Sequence, residues 1–263
     1  MPLTEHAVWL RDKAIDRLRN VLFGVLRAGP IPQHVAFIMD GNRRYARSNG
    51  MKLIQGHVDG FTALRRVLEI CSSLNIKVVS VYAFAIDNFQ RPKEEVDGLM
   101  NLAERALLEL CSHGGILAEH GVRLNTVGRT QLFPPEVQAA LNKAKELTKN
   151  NKRSVLNLCM PYSSRDEIAN AVEESVQNAL LEGRIECVVV HKDIEDRLMT
   201  AKVNTPPLDI LIRTSGVKRL SDYLLWQCTE NTQIHFVDTF WPDMGLVDLL
   251  PIILDYQRKI WAQ

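Results

Sequence analysis

His34-Val35-Ala36-Phe37-Ile38-Met39-Asp40-Gly41-Asn42-Arg43-Arg44-Tyr45-Ala46-Arg47 is the stretch whose reading decides the fold. The apolar run Val35 to Met39 predicts a short strand buried on both faces. The chain stops on Asp40, turns at Gly41-Asn42 and enters a helix led by Arg43, Arg44 and Arg47. A strand end, a glycine turn and a helix amino terminus gather free backbone N–H groups and guanidinium groups in one spot, which suits a phosphate. A carboxylate there repels a phosphate unless a cation lies between them. Asp40 therefore implies a divalent metal, most simply magnesium.

Working outward, residues 5–28 predict a helix, with Val8, Trp9, Ile15, Leu18, Leu22, Val25 and Leu26 recurring at helical spacing among Arg11, Lys13, Arg17, Arg19 and Arg27. Such a helix either packs on the domain or lies on an anionic membrane. Gly29-Pro30 and Pro32 end it, so residues 1–29 read as an amphipathic helix and 30–263 as one domain. Downstream, Gly56-His57 opens a helix, and residues 77–84 form a strand that runs into Ala85 to Pro92. Leu99, Leu102, Ala106, Leu107 and Leu110 then stripe another helix. Strands follow over 122–127, 155–159, 208–212 and 234–237, and helices over 136–149 and 246–261. Ser164 with Glu167 has capping-box spacing, and the polar stretch 182–204 reads as a strand fragment and a short surface helix.

Strands alternating with helices predict an α/β fold, an open six-stranded, mostly parallel sheet flanked by helices. Ligands of such sheets bind outside the carboxyl ends of the strands. Asp40, the run Ala85 to Arg91 and the run Arg213 to Ser221 all fall at such ends.

With 263 residues and 46% hydrophobic content the chain can bury one large core, and a formal charge of +1 gives no global field to recruit nucleic acid. Cys71, Cys111, Cys159, Cys187 and Cys228 are odd in number and lack a Cys-x-x-Cys pair, which predicts free thiols in a reducing compartment. No apolar run reaches transmembrane length, and residues 1–10 do not have the pattern of a cleavable signal peptide. There is no Gly-x-x-x-x-Gly-Lys loop and no Gly-x-Ser-x-Gly elbow. Instead two anion sites are expected, one on Asp40 to Arg47 with Arg91, the other on Arg213, Arg219 and Ser221. Arginine suits both because its planar fork donates paired hydrogen bonds and stays charged.

The run Ile38 to Ala46 resembles the signature of the cis-prenyltransferases, which include undecaprenyl and dehydrodolichyl diphosphate synthases. Arg213-Thr214-Ser215-Gly216, continued by Arg219-Leu220-Ser221 and Tyr223 to Gln227, is similar to the second family signature. The resemblance implies repeated condensation of isopentenyl diphosphate onto an allylic primer such as farnesyl diphosphate, each new double bond being cis. The product would be a long-chain polyprenyl diphosphate for dolichol and protein glycosylation, grown into an apolar tunnel. It further implies an allylic site on Gly41, Asn42, Arg43, Arg44, Tyr45, His57, Phe89 and Arg91, and an isopentenyl site on Arg213, Arg219 and Ser221. Asp40 would hold magnesium, and Asn88 or a phosphate oxygen would take the proton.

The chain departs from that pattern at several places. Ala85 stands where relatives carry Ser and Asp87 where they carry Glu, while Phe89 stands where they carry Trp or Phe and keeps to the pattern. Val217, and the region of Gln233, lack the glutamates that help bacterial members hold metal, leaving Asp40 as the clear protein ligand. The sequence ends Arg258 to Gln263 without the Arg-x-Gly tail of bacterial homodimers. The resemblance is nearest to the eukaryotic catalytic subunits, in which a Nogo-B-receptor-like partner supplies the tail; a homodimer is the other assembly it allows. Each isoprene unit adds about 3 kcal/mol of burial at roughly 0.8 kcal/mol per CH₂. A growing product therefore needs a bilayer, and a peripheral place on the cytoplasmic face of the endoplasmic reticulum is expected. The alternatives are a shorter-chain or undecaprenyl-type synthase and a non-catalytic scaffold subunit, the latter lacking the aspartate and arginines kept here.

Overall fold

Residues 13, 17–112, 115–182 and 189–262 are described by a computed structural model. Its strands are β1 (His34–Ile38), β2 (Val78–Tyr82), β3 (Val122–Val127), β4 (Ser154–Cys159), β5 (Ile210–Arg213) and β6 (Gln233–Phe236). They form one sheet in the order β3-β4-β2-β1-β5-β6, and every pairing is parallel. The expected mostly parallel sheet is thus wholly parallel. Its inner strands β1 and β5 are buried at every residue, whereas the outer strands β3 and β6 alternate, with half-exposed side chains. The apolar run of β1 is central because both its faces are covered.

The helices are α1 (residues 17–27), α2 (Asn42–Ser48), α3 (Leu53–Ser73), α4 (Lys93–Cys111), α5 (Ile116–Glu119), α6 (Pro135–Thr148), α7 (Ser164–Leu181), α8 (His191–Glu195), α9 (Met199–Lys202) and α10 (Leu246–Trp261). Val8, Trp9 and Ile15 lie outside the described residues. In α1, Phe23 and Leu26 join the main core, while Leu18, Val21 and Val25 face outward and are exposed. The Gln257 amide on α10 donates to the Leu26 carbonyl at 2.6 Å and fixes the end of α1.

Three local expectations are corrected. Helix α3 starts at Leu53 rather than at Gly56-His57. Gly56 instead sits where a Cβ would come within 2.2 Å of the Asn42 carbonyl oxygen, so glycine lets α3 close onto α2. The cap of α7 is Ser163, whose hydroxyl accepts from the Asp166 N–H at 3.4 Å; the Ser164 hydroxyl accepts from the Leu225 N–H at 2.9 Å instead. Within 182–204 the described residues form the short helices α8 and α9 and no strand, and 183–188, with Cys187, lie outside the described residues.

Chain direction places the site. From β1 the chain passes through α2 and α3 to β2 on one side, and from β5 it passes to β6 on the other. Connections that diverge at neighbouring strands leave a crevice above their carboxyl ends.

Candidate active site

Asp40 stands at the end of β1, on a tight turn. Gly41 has φ 110°, and a Cβ there would come within 2.8 Å of the Phe240 ring and 3.1 Å of the Ser215 Cβ. The Thr214 hydroxyl donates to the Asp40 carbonyl at 2.6 Å and accepts from its N–H at 2.9 Å, tying the ends of β1 and β5 together. One carboxylate oxygen of Asp40 accepts from the Gly41 N–H at 2.7 Å. The other accepts from Arg213 at 2.9 Å and lies 3.4 Å from Arg44. Burial raises the Asp40 carboxyl, but the hydrogen bond and charge of Arg213, with help from Ser215 and Arg44, outweigh it and hold the group below the usual carboxylate range.

Arg213 is 3% exposed. Besides Asp40 it donates to the Ser221 hydroxyl at 2.6 Å and to the Arg219 carbonyl, so its fork ties the first motif to the second. Arg219 is placed differently. Its side chain lines the crevice and, among the described residues, makes no ion pair. The loop between β5 and β6 carries four non-glycine residues at positive φ: Ser215 (78°), Ser221 (50°), Asp222 (60°) and Leu224 (46°). Each such residue costs about 1–3 kcal/mol and persists only where its surroundings hold it.

From α3, His57 reaches the same place. Burial, reinforced by the positive charges of Arg91 and Arg43, pushes its imidazole down to about 4, so it is neutral at pH 7. Its Nδ1 lies 3.5 Å from the Asn42 amide nitrogen, while the buried His57 Nε2 and Asn42 Oδ1 have no partner. Arg91, at the end of the 3₁₀ turn Ile86–Gln90, donates to Glu95 at 2.9 Å, and Arg43 lies 3.7 Å from the same carboxylate. Glu95 thus holds together two arginines from different elements. The Asn88 side-chain oxygen accepts from the Ala85 N–H at 3.2 Å, capping that turn.

Two polar recesses and an apolar pocket meet here. One recess, of about 550 Å³, runs from Asp40 and Arg213 past Asn88 and Arg91 to Arg219 and Ser221. The other, of about 460 Å³, is walled by Gly41, Arg43, Arg44, Arg47, Arg91 and Arg219. The apolar pocket, of about 130 Å³, lies between α3 and α4 against Phe61, Leu64, Leu99, Ala103, Ala106 and Leu107. Met39, Asn42 and His57 line all three. Its volume is close to the roughly 150 Å³ of an apolar cavity that holds benzene. It therefore admits about one isoprene unit of a hydrocarbon tail.

Of the expected site residues, Asp40, Gly41, Asn42, Arg43, Arg44, His57, Asn88, Arg91, Arg213, Arg219 and Ser221 line these recesses. Tyr45 and Phe89 line none of the three. The Tyr45 carbonyl accepts from Ser48 and Asn49, and Phe89 packs on Phe84 and Phe133 at centroid distances of 4.9 and 6.2 Å. Sequence reasoning missed Glu95, Tyr82, Arg165 and Asp222. Asp222 directly follows the second motif, and Arg165 follows the Tyr-Ser-Ser run after β4. Both lay in view without a stated role.

No group of three metal-ligating side chains exists among the described residues. Asp40 offers a carboxylate oxygen that accepts from the Gly41 N–H and, among the described residues, makes no ion pair, on the wall of recesses rich in arginine. That donor set fits magnesium in the manner usual for this ion, one carboxylate with the remaining ligands from phosphate and water, and does not make an all-protein cage.

A family model described as undecaprenyl diphosphate synthase matches residues 38–261. The chain is 43% identical over 245 residues to a dehydrodolichyl diphosphate synthase complex subunit of Schizosaccharomyces pombe, covering 93% of this chain and 92% of that one. It is 40% identical over 257 residues to the corresponding human complex subunit, covering 95% of this chain and 74% of the human one. Its fold is similar to that of lavandulyl diphosphate synthase from Lavandula x intermedia in complex with dimethylallyl diphosphate. The TM-score is 0.75 at 29% identity, covering 86% of this chain and 95% of that one.

Proposed function

The chain belongs to the undecaprenyl diphosphate synthase family of cis-prenyltransferases, and we propose that it condenses isopentenyl diphosphate repeatedly onto farnesyl diphosphate to give long-chain dehydrodolichyl diphosphate for dolichol. The observation that carries this reading is the Asp40–Arg213 contact of 2.9 Å, which joins the two phosphate motifs beside the mouth of an apolar pocket.

In this reading the allylic diphosphate lies in the recess of Gly41, Asn42, Arg43, Arg44 and Arg91, with the first isoprene unit of its hydrocarbon entering the apolar pocket. Isopentenyl diphosphate lies against Arg219 and Ser221. The allylic C–O bond breaks and its electron pair leaves with the diphosphate. Fixed guanidinium and amide donors stabilise the charge that gathers there. The isopentenyl double bond supplies the pair for the new C–C bond, and a proton is then lost from the isopentenyl unit. Asn88 or a diphosphate oxygen is the acceptor; a carboxamide is a poor base, and the Asn88 oxygen already accepts a backbone hydrogen bond, which favours the diphosphate. Neutral His57, with its unpartnered Nε2 at the junction of the pockets, donates or accepts toward the primer. Magnesium, held by Asp40 and the diphosphate, would add positive charge at the leaving group. Arg213 acts chiefly by positioning Asp40 and Ser221.

The relatives' names describe complex subunits. This supports a hetero-complex, with a Nogo-B-receptor-like subunit as the partner. No described helix is long and apolar enough to cross a membrane. The exposed Leu18, Val21 and Val25 support peripheral attachment through α1, on the cytoplasmic face of the endoplasmic reticulum. The test is labelled isopentenyl diphosphate with farnesyl diphosphate and magnesium, with and without a candidate partner. Chromatography should show a ladder of long products; no incorporation under either condition overturns the reading.

A further inference from the structure

Ser221 and Asp222 both hold positive φ beside the recess, and neither is glycine. What holds them comes largely from one place, the first turn of α7. The Asp222 carbonyl accepts from the Ser164 N–H at 2.8 Å. Its carboxylate accepts from the Arg165 N–H at 3.0 Å, from the Arg165 side chain at 3.2 Å and from the Ser163 hydroxyl. The Leu225 N–H donates to the Ser164 hydroxyl at 2.9 Å, and Gln227 donates to Glu167 at 3.1 Å. On the other side, Tyr82 donates to the Ser221 carbonyl at 3.4 Å and stacks on the buried Tyr223 at 4.5 Å. The Asp222 side chain is 16% exposed, yet its carboxylate makes these bonds at a helix amino terminus, which favours a negative charge.

We infer that Asp222 is a positioning residue for the second substrate: its carboxylate clasps the amino terminus of α7 and thereby holds the Arg219–Ser221 turn in the conformation that receives the diphosphate of isopentenyl diphosphate. The inference rests on the proposed reading of that recess. Arg213 supports Ser221 from below, and Asp222 fixes the backbone that carries it. Ser163, Arg165 and Asp222 line the recess of Ser221 and not the allylic recess on α2, which the turn meets only through Arg219, so loosening the clasp weakens isopentenyl diphosphate far more than the primer.

The experiment uses the full chain with its partner and the variants Asp222→Ala and Asp222→Asn. Asp222→Ala should raise KM for isopentenyl diphosphate about tenfold or more and leave KM for farnesyl diphosphate within twofold. Asp222→Asn keeps an oxygen for the Arg165 N–H and an amide for Ser163, and should recover most of the loss. Equal rises in both KM values, or an unchanged isopentenyl KM in a folded Asp222→Ala, overturn the clasp. Should Asp222→Ala fail to fold, Ser163→Ala, which removes one contact, must shift the isopentenyl KM alone; if it does not, the clasp is rejected. Titration with inorganic pyrophosphate separates this from the catalytic reading. If the wild type incorporates nothing but binds pyrophosphate about tenfold more tightly than Asp222→Ala, the clasp stands without that reading. Equal binding, or none by the wild type, ends it.

Discussion

Asp40 is held by two guanidinium groups and one backbone N–H, so its charge and its place are both set before any substrate arrives. Asp40→Asn keeps the shape and removes the charge. Turnover should fall by about 100-fold or more with circular dichroism unchanged, since a single preorganised electrostatic contact is worth that much. Gly41→Ala tests the turn: the methyl group meets Phe240 and the backbone must hold φ 110°. A loss of about 1–3 kcal/mol in urea denaturation is expected. His34 supplies a pH prediction. Its ring is buried between the Pro206 carbonyl and the Ser80 hydroxyl, and burial pushes it down to about 4. The folded state therefore binds fewer protons than the unfolded state between pH 6.5 and about 4. Stability is complete above pH 6.5 and falls as the pH drops through that window, by on the order of 2 kcal/mol at pH 5 from this group. Urea melts at pH 7.5 and pH 5 check the sign, and the imidazole carbon shifts should not titrate between them.

At the level of elements, α1 carries two unlike faces. Phe23→Ala or Leu26→Ala should cost about 2–5 kcal/mol, because both side chains lie in the core. Exchanging Leu18, Val21 and Val25 together for Ser should change stability little but weaken flotation with anionic liposomes; undiminished flotation would remove α1 from the membrane proposal. Ala106 tests the wall of the apolar pocket. Ala106→Phe fills space that a growing chain needs, so products should shorten in the chromatographic ladder while the first condensation persists. Much of this layer was legible in the residues. β1, β3 and α10 follow from apolar runs and period alone. Local chemistry was less sure. Ser163 and Ser164 both suit a cap, and tertiary demand decides between them, since Leu225 recruits Ser164 from 61 residues away. The stretch 182–204 carries few apolar residues in register, so periodicity had little to act on.

For the whole molecule, the site was legible where its residues are contiguous in sequence. Asp40 to Arg44 and Arg213 to Ser221 announce themselves, and the strand-end rule brings them to one rim. The inward turn of Arg213 was not legible, because burial depends on β1 and β6 flanking β5. Nor was Glu95, whose importance comes only from two arginines that meet it in space. Assembly is the remaining test at this scale. The isolated chain should turn over slowly, and a candidate partner subunit should raise the rate by about 100-fold or more, as expected for adding a cationic donor at a leaving group. Full activity of the chain alone removes the partner argument.

Arg213 also has a consequence for substrate energetics. Because a single fork grips Asp40 on one side and Ser221 on the other, donor and acceptor affinities are thermodynamically linked through it. A double-mutant cycle between Asp40→Asn and Ser221→Ala should be non-additive, by about 0.5–3 kcal/mol, the range for residues sharing one network. Evolution or engineering that retunes one substrate at this position must therefore retune the other.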